Sequence, residues 1–346
     1  MRKLLLVLLL VVPLIQPVSA LELEAPTVPD SALQFMPDEP ENLGQALLEL
    51  LRDGLLELSP NLKEASSVCL GLTAVVMLVS VSKSISEHQF RAIDLAGAVA
   101  IAALLLKSTH SMVNLAVVTV GEISEYGKLL LPVMTTAMAA QGKITTSTAL
   151  YTGTAVFDAF LIGLIGKLLA PMLYFFLALS AATAAVGEEM LGKLRDQLKG
   201  TITWTLKTVM YVFTGYLGVT GVISGSADAA AVKAAKLTVS SVVPVVGGIL
   251  SDASEAMLVT AGTVKNAIGV YGMLAVIAIW IGPFVKLAAH YLLLKTCGLV
   301  CGVFGSKSHC NLIQDFTAAM GLLLGMTGAM CLMLMVSMVC FVRGSA

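Results

Sequence analysis

Charge is what this chain has least of. Only 12% of its 346 residues are Asp, Glu, Lys or Arg, against 57% hydrophobic, and the mean hydropathy is +0.91. Those values exclude an ordinary soluble domain and predict an all-α, polytopic helical membrane protein. Histidine is scarce as well: His88, His110, His290 and His309 are scattered, and none belongs to H-E-x-x-H. G-x-S-x-G and a phosphate-binding loop are missing too, so neither an enzyme nor a cofactor is expected. A strongly basic surface is also lacking. Net charge is -1, and the longest basic tract of the apolar region, Gly187 to Lys207, is short and mixed in sign, which excludes nucleic acid as a partner.

What is present comes in three parts. Met1 to Ala20 runs from Arg2 and Lys3 through an apolar core to Val18-Ser19-Ala20, the order of a cleavable signal peptide. Residues 21–64 form an acidic extracytoplasmic segment; from Leu21 to Ala65 ten acids face only two bases, Arg52 and Lys63. Its first half reads as an exposed linker. Glu41 to Leu58 then sets Leu43, Leu47, Leu50, Leu51 and Leu58 along one helical face, suited to the membrane surface, to a partner, or to the protein's own bundle.

Residues 65–346 form the multi-span domain. Apolar segments at 65–82, 92–106, 149–165, 171–186, 209–223, 266–284, 288–304 and 318–342, with an ambiguous one at 107–141, predict about eight or nine spans. The pair at 149–165 and 171–186 reads as a hairpin around Lys167 and Pro171. Lys83 and Arg91, and then the Gly187 to Lys207 loop with Lys193, Arg195 and Lys199, mark the cytoplasmic side and leave the mature N-terminus extracytoplasmic. Asp94 reads as a helix-start acid. Asp158 falls in mid-span, where an acid is expensive and faces a bundle interior or a cavity, as a functional group or as a structural partner.

One apolar stretch is interrupted. Pro244 removes a donor and biases Val243 toward extended backbone, and Gly247 and Gly248 accept conformations that other residues resist. A broken or re-entrant helix over 239–265 is expected, and in lipid such a break is tolerated only against protein or a water-filled cavity. Asp252 and Lys265 flank it, so Pro244, Gly247, Gly248, Asp252, Lys265 and Asp158 are the candidate functional or partner-contact residues. Asp252 also fits a helix start capped by Ser251.

The same residues carry a family resemblance. Lys236, Val242-Val243-Pro244-Val245-Val246-Gly247-Gly248, Ser251-Asp252-Ala253, Lys265-Asn266-Ala267-Ile268-Gly269-Val270, Pro283 and Lys286 resemble, in order and spacing, the C-terminal half of the stage III sporulation protein AE family. The resemblance implies a component of the channel-like complex between mother cell and forespore, set in the mother-cell membrane and needed once engulfment begins. It also implies partners: other membrane proteins of the same operon, a forespore-made protein, and an oligomeric assembly in the lipid bilayer. The tract CGLVCGVFGSKSHC departs from the family, which tends to have a proline-containing loop there.

Two other readings compete. A secondary transporter would place its substrate or ion site at the broken helix, although no repeat of that helix occurs in the first half; a scaffold that recruits channel partners cannot be told from a channel component. Cys297, Cys301, His309 and Cys310 supply enough donors for zinc, but C-x3-C-x7-H-C is not a usual zinc spacing, and buried apolar cysteines are the simpler account. A disulfide between Cys301 and Cys310 is a minor alternative.

Overall fold

Lysine lowers hydropathy but is a good helix former, so it interrupts an apolar run without interrupting a helix. That distinction governs the architecture. The computed structural model describes residues 25–36, 43–85, 90–242 and 247–343, and from 221 to 261 the backbone alone. Among these residues all regular structure is helical: α1 (Asp30–Leu33), α2 (Leu43–Leu56), α3 (Leu58–Ile85), α4 (Phe90–Ala139), α5 (Ile144–Leu164), α6 (Ala170–Val186), α7 (Glu189–Val242), α8 (Gly247–Phe304) and α9 (Lys307–Arg343).

Among the described residues five helical stretches are long and apolar enough to cross a membrane: Gly44–Ile85, Ala92–Ala139, Ile144–Val186, Lys265–Phe304 and Lys307–Arg343, of 42, 48, 43, 40 and 37 residues. A crossing takes about 20 residues, so each is about twice the length one bilayer needs. Segments expected as separate spans are fused. Lys107 lies inside α4 and Lys286 inside α8, and neither breaks its helix.

The hairpin expected at Lys167 and Pro171 is not formed. A π-helical turn, Ile165–Leu169, joins α5 to α6 in one continuous run, with Pro171 in the first turn of α6. A proline there lacks a donor and crowds the carbonyl one turn back, and a widened turn relieves both. The tract from Gly187 to Lys207, expected as a loop, is helix from Glu189 onward. At two of the turns glycine takes positive φ, Gly142 at 80° and Gly187 at 79°, the latter ending α6 with its N–H on Thr183 O.

The helices run back and forth between two ends. At one end Ser308 Oγ donates to Ala184 O (2.7 Å), His309 Nε2 lies 3.1 Å from Asp94 O, and Lys83 pairs with Asp94. Asp94 is thus an ion-pair partner five residues into α4 rather than a cap. At the other end Lys265 Nζ donates to Val342 O (3.1 Å). Between them α9 is central, in contact with α4, α5, α6, α7 and α8 and burying Phe316, Met320, Leu323, Met330 and Phe341.

The helix α2 docks on the protein's own bundle. It buries Ala46, Leu50 and Gly54, with Gly54 against Ile281 of α8, and leaves Leu51 exposed, so its packed face is rotated from the leucine face read in the sequence. Ahead of it, Phe35 packs over Gly282 and Ser31 Oγ donates to Glu122 (3.3 Å).

The seam between α5 and α7 is tight at one point. A Cβ on Gly153 would fall inside the Tyr216 ring, whose hydroxyl donates to Ala149 O (2.9 Å). Gly153→Val is therefore expected to lower thermal stability in detergent by about 1–3 kcal/mol through overpacking. Gly163→Ala, in open space, is the control, and equal melting of the two variants would refute the packing.

Candidate functional site

The face of α5 that turns inward carries two polar residues one turn apart. Asp158 is only 2% exposed and accepts a 2.5 Å hydrogen bond from Ser124 Oγ of α4. Thr154, also buried, shares a 2.9 Å hydrogen bond with Ser337 of α9. Together they tie three helices across the bundle interior, and Lys128 lies one turn beyond Ser124. Asp158 Oδ1 has no hydrogen-bond partner among the described residues. An unmet carboxyl oxygen in a bundle core is expensive, and it leaves room for one more donor.

Lys265 is fully buried where α8 passes the end of α9, with Lys143 nearby. It belongs to the same half of the bundle as Asp158 but has different partners. Gly247 and Gly248 open α8, and Asp252 follows within its first two turns. Pro244 lies outside the described residues, and so does the break expected there; the helices α7 and α8 end and begin on either side of it.

The zinc-like donors do not converge. Cys301 and Cys310 stand with sulfurs 3.2 Å apart, Cys297 lies against Cys69 and Thr73 of α3, and His309 points to Asp94. All six cysteines are free, and among the described residues no three His, Cys, Asp or Glu side chains are placed to hold a metal.

Two ionic groups at the turn end were not foreseen. Arg195 of α7 makes a 2.9 Å bond to Asp315 of α9, both largely shielded, beside a cavity of about 370 Å³ that Ser180, Lys307 and Ser308 also line. Ser80, Lys83, Ser306 and His309 line a second cavity of about 330 Å³, and Lys83 and His309 also contact Asp94. Arg195 and Asp315 are 120 residues apart and His309 and Asp94 are 215 apart, so no local spacing could have paired them.

A family model for stage III sporulation protein AE matches residues 35–345. The chain belongs to that family. Among curated proteins, stage III sporulation protein AE of Bacillus subtilis (strain 168) is 22% identical over 203 residues, 58% of this chain and 51% of the relative, so the chain spans about half the length of that relative. No solved structure matches the chain. The family match takes in α2 to α9, and with them Asp158, Lys265 and the turn-end ion pairs, well beyond the stretch around Pro244.

For this family member the Ser124 to Asp158 contact yields a direct test. Ser124→Ala strips a buried carboxyl of its donor and is expected to destabilise the detergent-solubilised protein by about 1–3 kcal/mol, whereas Ser124→Ala with Asp158→Leu, which removes both polar partners, loses less than the sum of the two single changes. Additive losses, read from thermal melts, would show that the two side chains do not interact.

Proposed function

We propose that this protein is an integral component of the channel-like complex built between mother cell and forespore during endospore formation. The observation that carries the reading is the family match over residues 35–345, which coincides with a bundle of five helical stretches long and apolar enough to cross a membrane. The protein works in the mother-cell membrane beside other membrane proteins of its operon and a forespore-made partner. It is not an enzyme, and any ATP hydrolysis the complex needs comes from another protein. Large apolar side chains on the outside of the bundle, Leu70, Leu78, Val99, Phe160 and Phe175 among them, suit contact with acyl chains.

Removal of the protein is expected to leave vegetative growth normal and to arrest spore formation after engulfment begins. A growth defect in rich medium would point to a housekeeping transporter. Co-purification of the operon's other membrane proteins from sporulating cells is the companion measurement.

Orientation is tested separately. With the N-terminus outside, an impermeant thiol reagent labels Ser31→Cys in intact cells but labels Lys307→Cys, exposed at the turn end, only after permeabilisation. The reverse pattern overturns the orientation and leaves the bundle as it is.

A further inference from the structure

The chain reverses between α8 and α9 in two residues, Gly305 and Ser306. Beside that reversal lies the cavity of about 330 Å³, whose polar lining is Ser80, Lys83 and Ser84 of α3, Ser306, and His309 in the first turn of α9. Among the described residues no acidic side chain lines it, whereas Glu188, Glu189 and Asp315 line the larger cavity beside Arg195. Hydroxyls and basic nitrogens thus meet at the start of a 37-residue helix.

Two of these groups are left unmet. Ser306 Oγ and His309 Nδ1 are buried and have no hydrogen-bond partner among the described residues, and the His309 side chain is wholly shielded from solvent. The ring is held from its far edge: Nε2 lies 3.1 Å from Asp94 O, and a Cβ on Gly97 would fall 2.9 Å from Cε1, so α4 fixes one side of the imidazole and leaves Nδ1 for another partner. Nearby polar groups are satisfied by contrast, Ser308 on Ala184 O and Arg195 on Asp315. A buried hydroxyl and a buried ring nitrogen without partners are destabilising, and a ligand that bonds both relieves them.

The charges favour an anion. Asp94 pairs with Lys83 and stands 3.8 Å from His309 Nε2, so one carboxylate orders two basic side chains beside the cavity. With His309 protonated, the two bases outnumber the acid. The opening turn of α9 adds N–H groups without intrahelical partners and the positive end of the helix dipole. We propose that this cavity holds a phosphate group, bonded by Lys83, Ser306, His309 and the first N–H groups of α9. A phosphate carries acceptor oxygens for the ammonium, the hydroxyl and the N–H groups, and its protonated form has a donor for a neutral His309. Inorganic phosphate and the headgroup of an anionic phospholipid share this chemistry. Either ties α3 to the turn between α8 and α9, a contact that the channel reading does not include.

Full-length protein freed of lipid in neutral detergent is melted against rising inorganic phosphate, with potassium chloride at equal ionic strength as control, and in micelles carrying phosphatidylglycerol, with diacylglycerol as control. One source or both is expected to raise the melting temperature saturably while its control does not. A rise with inorganic phosphate identifies the free anion, and a rise with phosphatidylglycerol alone identifies the headgroup. Ser306→Ala is expected to melt like wild type without ligand, because its hydroxyl bonds nothing else, and to bind at least about tenfold more weakly; Lys83→Gln is expected to weaken binding as much. Absence of a rise from either source overturns the site, and so does a rise that the control matches. A rise that either variant leaves at full strength puts the anion elsewhere and overturns it as well. A lower melting temperature of Ser306→Ala without ligand shows that the hydroxyl already has a partner and removes the ground for the proposal.

Discussion

Backbone N–H and C=O groups have no water to bond in the hydrocarbon interior, and this constraint shapes every part of the molecule. It forbids loops in lipid and favours continuous helix even through residues that oppose it. The chain accommodates them locally. Pro132 sits inside α4, which continues through it, and Thr136 Oγ1 bonds the carbonyl four residues back at 2.9 Å. Pro283 sits inside α8, and Pro171 follows a π-helical turn. Hydroxyl groups repeat the same device: Thr119, Thr135, Ser180 and Thr317 each bond the carbonyl four residues back and so bring no unmet donor into the core.

Composition was enough to give the class, and spacing within Ala234 to Lys286 was enough to suggest the family. Joints between helices were not legible. Hydropathy falls at Lys107, Lys167 and Lys286 as it would at a loop, yet helix propensity does not, so one long helix reads as two spans. The packed face of α2 was legible at Leu47 and Leu50 but not at its small residues, for a related reason. Its buried side is made of Ala46, Leu50 and Gly54, and small residues chosen for close approach to Ile281 contribute little to a hydrophobic pattern. Asp158 was legible because a lone acid in an apolar run stands out, but Ser124 was hidden in a mixed tract beside Glu122 and Glu125. Arg195 read as an ordinary loop charge until the fold joined it to Asp315.

The polar contacts divide the bundle into two unlike halves. Toward the turn end, ion pairs and cavities at Arg195 and Asp315 and at Lys83 and Asp94 hold the ends of neighbouring helices in register. Toward the other end, single buried groups do that work: Asp158 on Ser124, Thr154 on Ser337, Lys265 on Val342 O. Each is a hydrogen bond between different helices, joining residues 34, 183 and 77 apart in sequence. Methionine and leucine fill the space around them, and such side chains specify position weakly because they adapt to many neighbours. Register in this core is therefore carried by a few directional bonds.

The π-helical turn at Ile165–Leu169 does more than make room for a proline. Each α-helical residue advances about 100° around the axis, so one turn holding an extra residue rotates everything beyond it by about that angle relative to everything before. Before the turn, α5 aims Asp158 and Thr154 at α4 and α9; beyond it, α6 aims Phe176 and Leu177 into the core and carries Tyr174 to His110, 2.7 Å away on α4. Two surfaces with different partners are thereby cut from one rod, and their relative aim is stored in a single residue's worth of chain. A lineage that lost or gained one residue in that turn would keep the helix and exchange the neighbours of half of it.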